Sequence, residues 1–225
     1  MSIEFFNEDC IQGMKRYPDK HFDLAIVDPV YGDVTQGGYM KNLDSTTKLA
    51  KPRQYHLSLW NQSKTGKQYF DELFRVSKNQ IIWGGNYFTE YLPSSQCWIC
   101  WDKKRTGGFA DFELAFTSFN CASRMFRFMW NGMLQENMSD KELRIHPTQK
   151  PVALYEWLLN KFAKAGDLIL DTHVGSASSI IACHRMKFDC VGFEIDKVYY
   201  DLAKERIEEE MKQMDIFEII GNKEE

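Results

Sequence analysis

Apolar runs of strand length alternate with helical periodicity along most of the chain. "IEFFNED", "DLAIVDP", "QIIWGGN", "QCWICWD", "DLILDTH" and "DCVGFEID" each set a short block of aliphatic and aromatic residues beside an acid, a proline or a glycine, as buried strands do. Between them, "KQYFDELFRVSK", "PVALYEWLLNKFAKAG", "SSIIACHRMK" and "KVYYDLAKERIEEEMKQM" repeat apolar positions three and four apart, the period of a helix. The second opens on Pro151 and closes at Gly166, which suits a helix start and stop. This alternation predicts an α/β domain built on a mostly parallel sheet. Two stretches break it. Residues 33–67 are rich in Gly, Lys, Ser and Asn, and residues from about 103 to 145 mix aromatic and basic side chains. Long excursions in a compact domain usually carry function.

Composition narrows the class. The 225 residues are 44% apolar and 27% charged, ordinary for a globular protein and enough for a substantial core. No apolar run approaches the roughly 18 residues of a membrane span. "MSIEFFNEDC" lacks the basic and apolar regions of a secretion signal, so cytoplasmic residence and no membrane partner are expected. Six cysteines form no dense framework and read as reduced thiols. Cys97-x-x-Cys100 lies in a strand-like run, where residues three apart face opposite ways, so no metal site is expected.

The net charge of −4 excludes a uniformly basic surface, but the charge is uneven. Residues 41–70 carry six bases against one acid, and residues 191–225 carry eleven acids against five bases. Such asymmetry fits one basic surface meeting a phosphate backbone; a solvated loop and a solvated helix would read the same.

Three motifs carry chemistry. "AIVDPVYG" ends a buried strand in a carboxylate, a proline carbonyl and a tyrosine; a plain turn needs only the Pro and Gly. "LILDTHVGSASS" is a strand followed by a turn of small residues, where a ligand can approach the backbone beside a helix N-terminus. The next strand ends in Glu194, about 20 residues past that turn, where an acid can accept hydrogen bonds from ribose hydroxyls. Gly175-Ser176-Ala177 is not a dinucleotide fingerprint. The third motif, "RIHPTQKPVALYEWLL", lies just upstream of that strand and turn.

With "HPTQKP" ahead of an amphipathic helix, a strand ending in an acid and "GS", the sequence resembles the amino-group DNA methyltransferases, which make N6-methyladenine or N4-methylcytosine. "DPVYG" looks like their catalytic tetrapeptide, commonly Asp-Pro-Pro-Tyr. Catalytic motif first and cofactor motif last is the permuted order of the β group. The resemblance implies a seven-stranded, Rossmann-like class I methyltransferase fold over residues 1–225, with the basic loop at 33–67 and target recognition at about 103–145. It implies S-adenosylmethionine as cofactor and double-stranded DNA as partner, with a homodimer common among relatives.

Residue by residue, it implies that Asp28, Pro29 and Tyr31 receive the target base. Asp171, Gly175 and Ser176 would line the methionine part of the cofactor, with Thr148 and Lys150, after His146, near its carboxylate. Glu194 would hold the ribose. Asp9 would lie near the adenine ring, although its pattern alone also suits a helix N-cap. His173 would stand beside the cofactor or pack as a hydrogen-bonded core histidine. Lys41, Lys48, Lys51 and Arg53 would follow the catalytic loop toward DNA, joined by Lys103, Lys104, Arg105, Arg124 and Arg127. "WNGM", Trp130 to Met133, offers an aromatic surface or a packed tryptophan.

The expected reaction is methylation of adenine N6 in a flipped-out base. Asp with Tyr resembles the adenine branch; N4-cytosine, a DNA-binding pseudoenzyme and a small-molecule methyltransferase remain alternatives. Val30 is the departure that motivates the pseudoenzyme. A second proline there would restrain Pro29, and losing it costs on the order of 0.4–1 kcal/mol of preorganisation, a few-fold in rate.

Overall fold

The computed structural model describes residues 1–32, 64–104, 110–131, 134–139 and 141–221. An eight-stranded sheet has the spatial order β1 (Ile3–Phe6), β10 (Asp189–Phe193), β9 (Leu168–Asp171), β2 (Phe22–Val27), β3 (Ser77–Trp83), β5 (Phe112–Thr117), β4 (Trp98–Asp102) and β6 (Arg124–Arg127). The first five are mutually parallel, β5 is antiparallel to both neighbours, and β6 pairs parallel with β4. Strands β7 (Trp130–Asn131) and β8 (Leu134–Gln135) form a separate ribbon.

All six strands marked by the apolar pattern form. The class I sheet of seven is present, and β6 adds an eighth at the edge. The stretch from 103 to 145 is therefore not a simple excursion, because β5 enters the sheet between β3 and β4. Its pattern hides it: Glu113 interrupts "FELAFT", and β6 begins and ends in exposed arginines.

Alternate residues of the central strands feed two cores, as the two-residue repeat of a strand requires. Leu24, Ile26, Ile81 and Trp83 pack with helices α3 (Val152–Phe162) and α4 (Ser178–Met186). Ala25, Val27 and Ile82 pack on the opposite face with Tyr69, Phe70 and Leu73 of α2 (Lys67–Val76). Helix α1 (Cys10–Met14) adds Met14 to this second core, and α5 (Lys197–Gly221) adds Ala203 and Ile207 to the first. Among the described residues no helix is long and apolar enough to cross a membrane.

From β2 the chain moves outward to β3, and from β9 it moves the other way to β10. The two motif-bearing strands therefore flank the point where strand order reverses. The crevice outside their carboxyl ends is where open α/β sheets bind ligands.

Candidate active site

Strand β2 is buried on both faces, so its apolar residues are held in the sheet while Asp28 emerges at the carboxyl edge. Tyr31 donates its hydroxyl to Asp28 Oδ1 at 2.8 Å, and Lys150 Nζ pairs with Oδ2. Burial, reinforced by the neighbouring Asp28, pushes the Tyr31 phenol well above its ordinary value and keeps it a neutral donor. Its ring stacks on Tyr87, with centroids 5.1 Å apart. Behind the ring, Gly84 has φ +66°, and a Cβ there would lie 2.4 Å from a ring carbon. Only glycine lets the backbone pass so close. Val30 C=O accepts from Thr65 N–H at 2.9 Å, which supplies part of the restraint a second proline would give.

The other half grows from β9 and β10. Asp171 accepts from His173 N–H and from the Ser179 hydroxyl, and burial pushes its carboxyl up to about 7 against these bonds. Because the folded protein holds that proton more tightly than the unfolded chain, whose carboxyl titrates near 3.8, Asp171 contributes stability below about pH 4 that is lost as pH rises to 7. Wild type should therefore lose about 1.4 kcal/mol per pH unit relative to Asp171→Asn across that window, and nothing further above it. Urea unfolding of both proteins at a series of pH values measures the slope; a parallel pair of curves would contradict it.

Glu194 accepts from Gly175 N–H at 2.8 Å through Oε2 and from Asp196 N–H at 2.9 Å through Oε1. It thereby pins the turn to the end of β10. Burial raises its carboxyl above the ordinary value. Ala177 closes the turn as the N-cap of α4 with φ +64°. A left-handed conformation costs an alanine about 1 kcal/mol or more, only part of which a glycine returns as chain entropy. Ala177→Gly should raise the melting temperature by about 1–4 °C in calorimetry.

The segment before α3 is locked by polar contacts. Trp130 is 6% exposed and donates to Gln149 C=O at 2.8 Å, so this ring is core rather than a DNA-facing surface. Gln149 Oε1 accepts from Ile145 N–H at 2.8 Å. Thr148 contacts His146 Nδ1 through both its N–H, at 3.3 Å, and its hydroxyl, at 3.1 Å. Burial, with Lys150 nearby, lowers His146 to about 3, so its ring is neutral. Two residues outside every sequence motif tie this segment to the turn. Glu142 accepts from Val152 N–H at 2.9 Å and from Arg206 at 2.7 Å, while Arg206 also donates to Ser176 C=O at 2.7 Å.

The two halves share one cavity of about 470 Å³, within the range of small-molecule sites. Asp28, Pro29 and Tyr31 line it from one side, Gly175, Ser176 and Glu194 from the other, with His146, Thr148 and Lys150 between. Asp9 both lines it and caps α1, accepting from Gln12 N–H at 2.9 Å. His173 lines it too and is packed and hydrogen-bonded, contacting Thr172 at 2.9 Å and Tyr69 edge-on; burial lowers it to about 4. Glu8 also lines the wall, held by Arg16.

Several expected placements change. Asp171 sits behind the turn, 2% exposed, and is not part of the cavity wall. Lys150 is paired with Asp28 rather than standing free for a cofactor carboxylate. Lys103 pairs inward with Glu113, and Lys104 pairs with Glu136 at 2.6 Å. Arg127 lies 3.5 Å from Asp102 and Arg124 is exposed, both on the edge strand β6. Lys41, Lys48, Lys51, Arg53 and Arg105 lie outside the described residues.

A switch-point cavity with a small-residue turn on one wall and an acid at the end of the next strand is the ligand site of a Rossmann-like α/β fold, and solved methyltransferase structures share that fold. The chain aligns with the M1.HpyAVI–SAM complex at TM-score 0.53 and 19% identity, covering 91% of this chain and 99% of that one. TTHA0409 of Thermus thermophilus, a putative DNA modification methylase by its description, aligns at 0.57 and 18%, covering 92% and 94%. The cytosine-N4-specific PvuII DNA methyltransferase aligns at 0.58 and 11%, covering 91% and 86%.

Sequence narrows the class further. The N6/N4 DNA methylase family model matches residues 49–205, and the chain belongs to this family. It is 26% identical to type II methyltransferase M.HpaI of Haemophilus parainfluenzae over 92% of this chain and 74% of that protein. It is 30% identical to M2.LlaDCHI of Lactococcus lactis subsp. cremoris over 67% and 57%, and 29% identical to M2.DpnII of Streptococcus pneumoniae over 68% and 59%. The chain thus spans less than two thirds of the latter two relatives.

Proposed function

We propose that this protein transfers the methyl group of S-adenosylmethionine to the N6 amino group of adenine in double-stranded DNA. The observation that carries the reading is the single cavity in which Asp28 at the end of β2 faces the Gly175 turn and Glu194. The cofactor supplies an electrophilic methyl on a sulfonium. Everything else is positioning by this chain. An adenine amino nitrogen is a weak nucleophile because its lone pair is delocalised into the ring. Asp28 and the Pro29 carbonyl, each accepting one N–H, hold the nitrogen pyramidal and aim its lone pair across the cavity. As positive charge grows on nitrogen, the preplaced carboxylate stabilises it. No covalent intermediate is required; orientation supplies much of the rate. A base inside a duplex cannot reach this recess, so it is flipped out and received beside the Tyr31 and Tyr87 rings.

Adenine is favoured over cytosine by the Asp28-Pro29-x-Tyr31 pattern. Incubation with tritiated cofactor and duplex DNA, followed by nucleoside analysis, tests the reading. Label in N6-methyladenine is expected. Label in N4-methylcytosine would transfer the assignment to the other base, and unlabelled DNA with cofactor demonstrably bound would end the enzymatic reading.

A further inference from the structure

The structure assigns Glu113 a role that none of the motifs carries: a positioning residue that holds Lys150 in balance against Asp28. This inference rests on the reading of the site as a methyl-transfer centre. Four side chains form one linked line of alternating charge that ends on the cavity wall at Lys150 and Asp28. Lys103 pairs with Glu113 Oε1; Glu113 Oε2 lies 3.4 Å from Lys150 Nζ; Lys150 pairs with Asp28 Oδ2. Lys103 and Glu113 meet across the paired strands β4 and β5, while Lys150, from the turn before α3, and Asp28, from the end of β2, are brought to them by tertiary structure. Lys150 is 4% exposed, with Nζ 5.5 Å from the Trp83 ring centroid, and Lys103 Nζ stands 4.9 Å from that of Trp101. Glu113 Oε2 is buried and makes no hydrogen bond among the described residues, so its role there is that of a charge facing Lys150.

The reason such a charge is needed follows from the reaction. Asp28 must stay negative in effect when positive charge develops on the acceptor nitrogen. A lysine paired with Asp28 alone would neutralise it. Glu113 supplies the counter-charge that shares Lys150, so the ammonium orients the Asp28 carboxylate without cancelling its field. Burial would push Lys150 down, yet the two carboxylates outweigh it and hold the ammonium above its ordinary value. Burial likewise favours neutral Glu113, and Lys150 and Lys103 outweigh it. Lys150 and Glu113 therefore face each other as a charged pair at neutral pH. Without Glu113, two cations would stand against one carboxylate beside the point where a third positive charge appears.

The test is Glu113→Gln, which keeps the size and removes the charge, assayed beside wild type with duplex DNA and S-adenosylmethionine. The expected result is a kcat lower by about tenfold to a hundredfold. Cofactor Kd by calorimetry and KM for DNA should stay within about threefold, a split that loss of packing alone would not produce. In a Lys150→Met background the same Glu113→Gln change should have no further effect, because the residue acts through Lys150. That background comparison also decides the matter should the single variant melt early. Equal kcat for wild type and Glu113→Gln would overturn the inference. So would weakened cofactor binding with kcat intact, which would place Lys150 in cofactor capture, or costs that simply add in the double variant. A wild type that methylates no base would instead remove the methyl-transfer reading itself.

Discussion

Asp28→Asn should lower kcat for DNA methylation by about a thousandfold or more while leaving cofactor affinity within a few-fold. Two donors already converge on Asp28: the Tyr31 hydroxyl on Oδ1 and the Lys150 ammonium on Oδ2. A carboxylate satisfies both and keeps lone pairs for the incoming amino group. An asparagine satisfies one, turns its own NH₂ against the other, and brings no charge to oppose the growing ammonium. The loss therefore falls on the transition state rather than on binding, which is why kcat and not Kd should move. Stopped single-turnover assays with radiolabelled cofactor, alongside calorimetric cofactor titration, separate the two. If Asp28→Asn retains kcat, the acceptor is not Asp28 and the base-receiving role of the DPVY segment falls. The comparison is sharper than one with alanine, because removing the whole side chain would leave Lys150 facing an empty space inside the protein.

What is legible in the sequence follows from how local each signal is. Strands β2, β9 and β10 are buried on both faces, so they stand out as continuous apolar runs, and their ends carry Asp28, Asp171 and Glu194 at fixed offsets. Strand β5 is opaque because its one acid reads as a solvent-facing position; only the arrival of Lys150, 37 residues on, beside the cross-strand Lys103 makes Glu113 part of a charge line. Lys150 is legible as a site cation but not as a partner of Asp28, since the pair spans 122 residues. Glu142 and Arg206 stay invisible for the same reason: each looks like an ordinary helix or loop charge, and their pairing across 64 residues is what braces the Ser176 turn. Ala177 goes the other way. An alanine among small turn residues draws no notice in one dimension, and its φ of +64° makes it a strained position. Motif chemistry is local and survives in one dimension; the charge pairs that tune it do not.

Glu194→Ala carries the second large expectation, and it moves the opposite parameter. The wild-type carboxylate already accepts two backbone N–H groups, from Gly175 and Asp196, and lines the cavity with acceptor capacity to spare. Hydrogen bonds to a charged acceptor are worth about 1.5–3 kcal/mol, so loss of the ribose contact should weaken cofactor binding by about ten- to a hundred-and-fifty-fold. The alanine also strands the two N–H groups, one in the turn and one just past β10, at about 1–3 kcal/mol apiece, so a lower melting temperature should accompany the weaker binding. Glu194→Gln separates these effects. It fills the same space and keeps one acceptor oxygen, but its amide must face one of the two backbone donors. At saturating cofactor both variants should turn over within several-fold of wild type, in contrast to Asp28→Asn. Calorimetric Kd, melting temperature and saturated kcat measured on the same preparations give the pattern. A Glu194→Ala protein that melts early yet binds cofactor as tightly as wild type would reduce Glu194 to a brace for the Gly175 turn and remove it from ribose recognition.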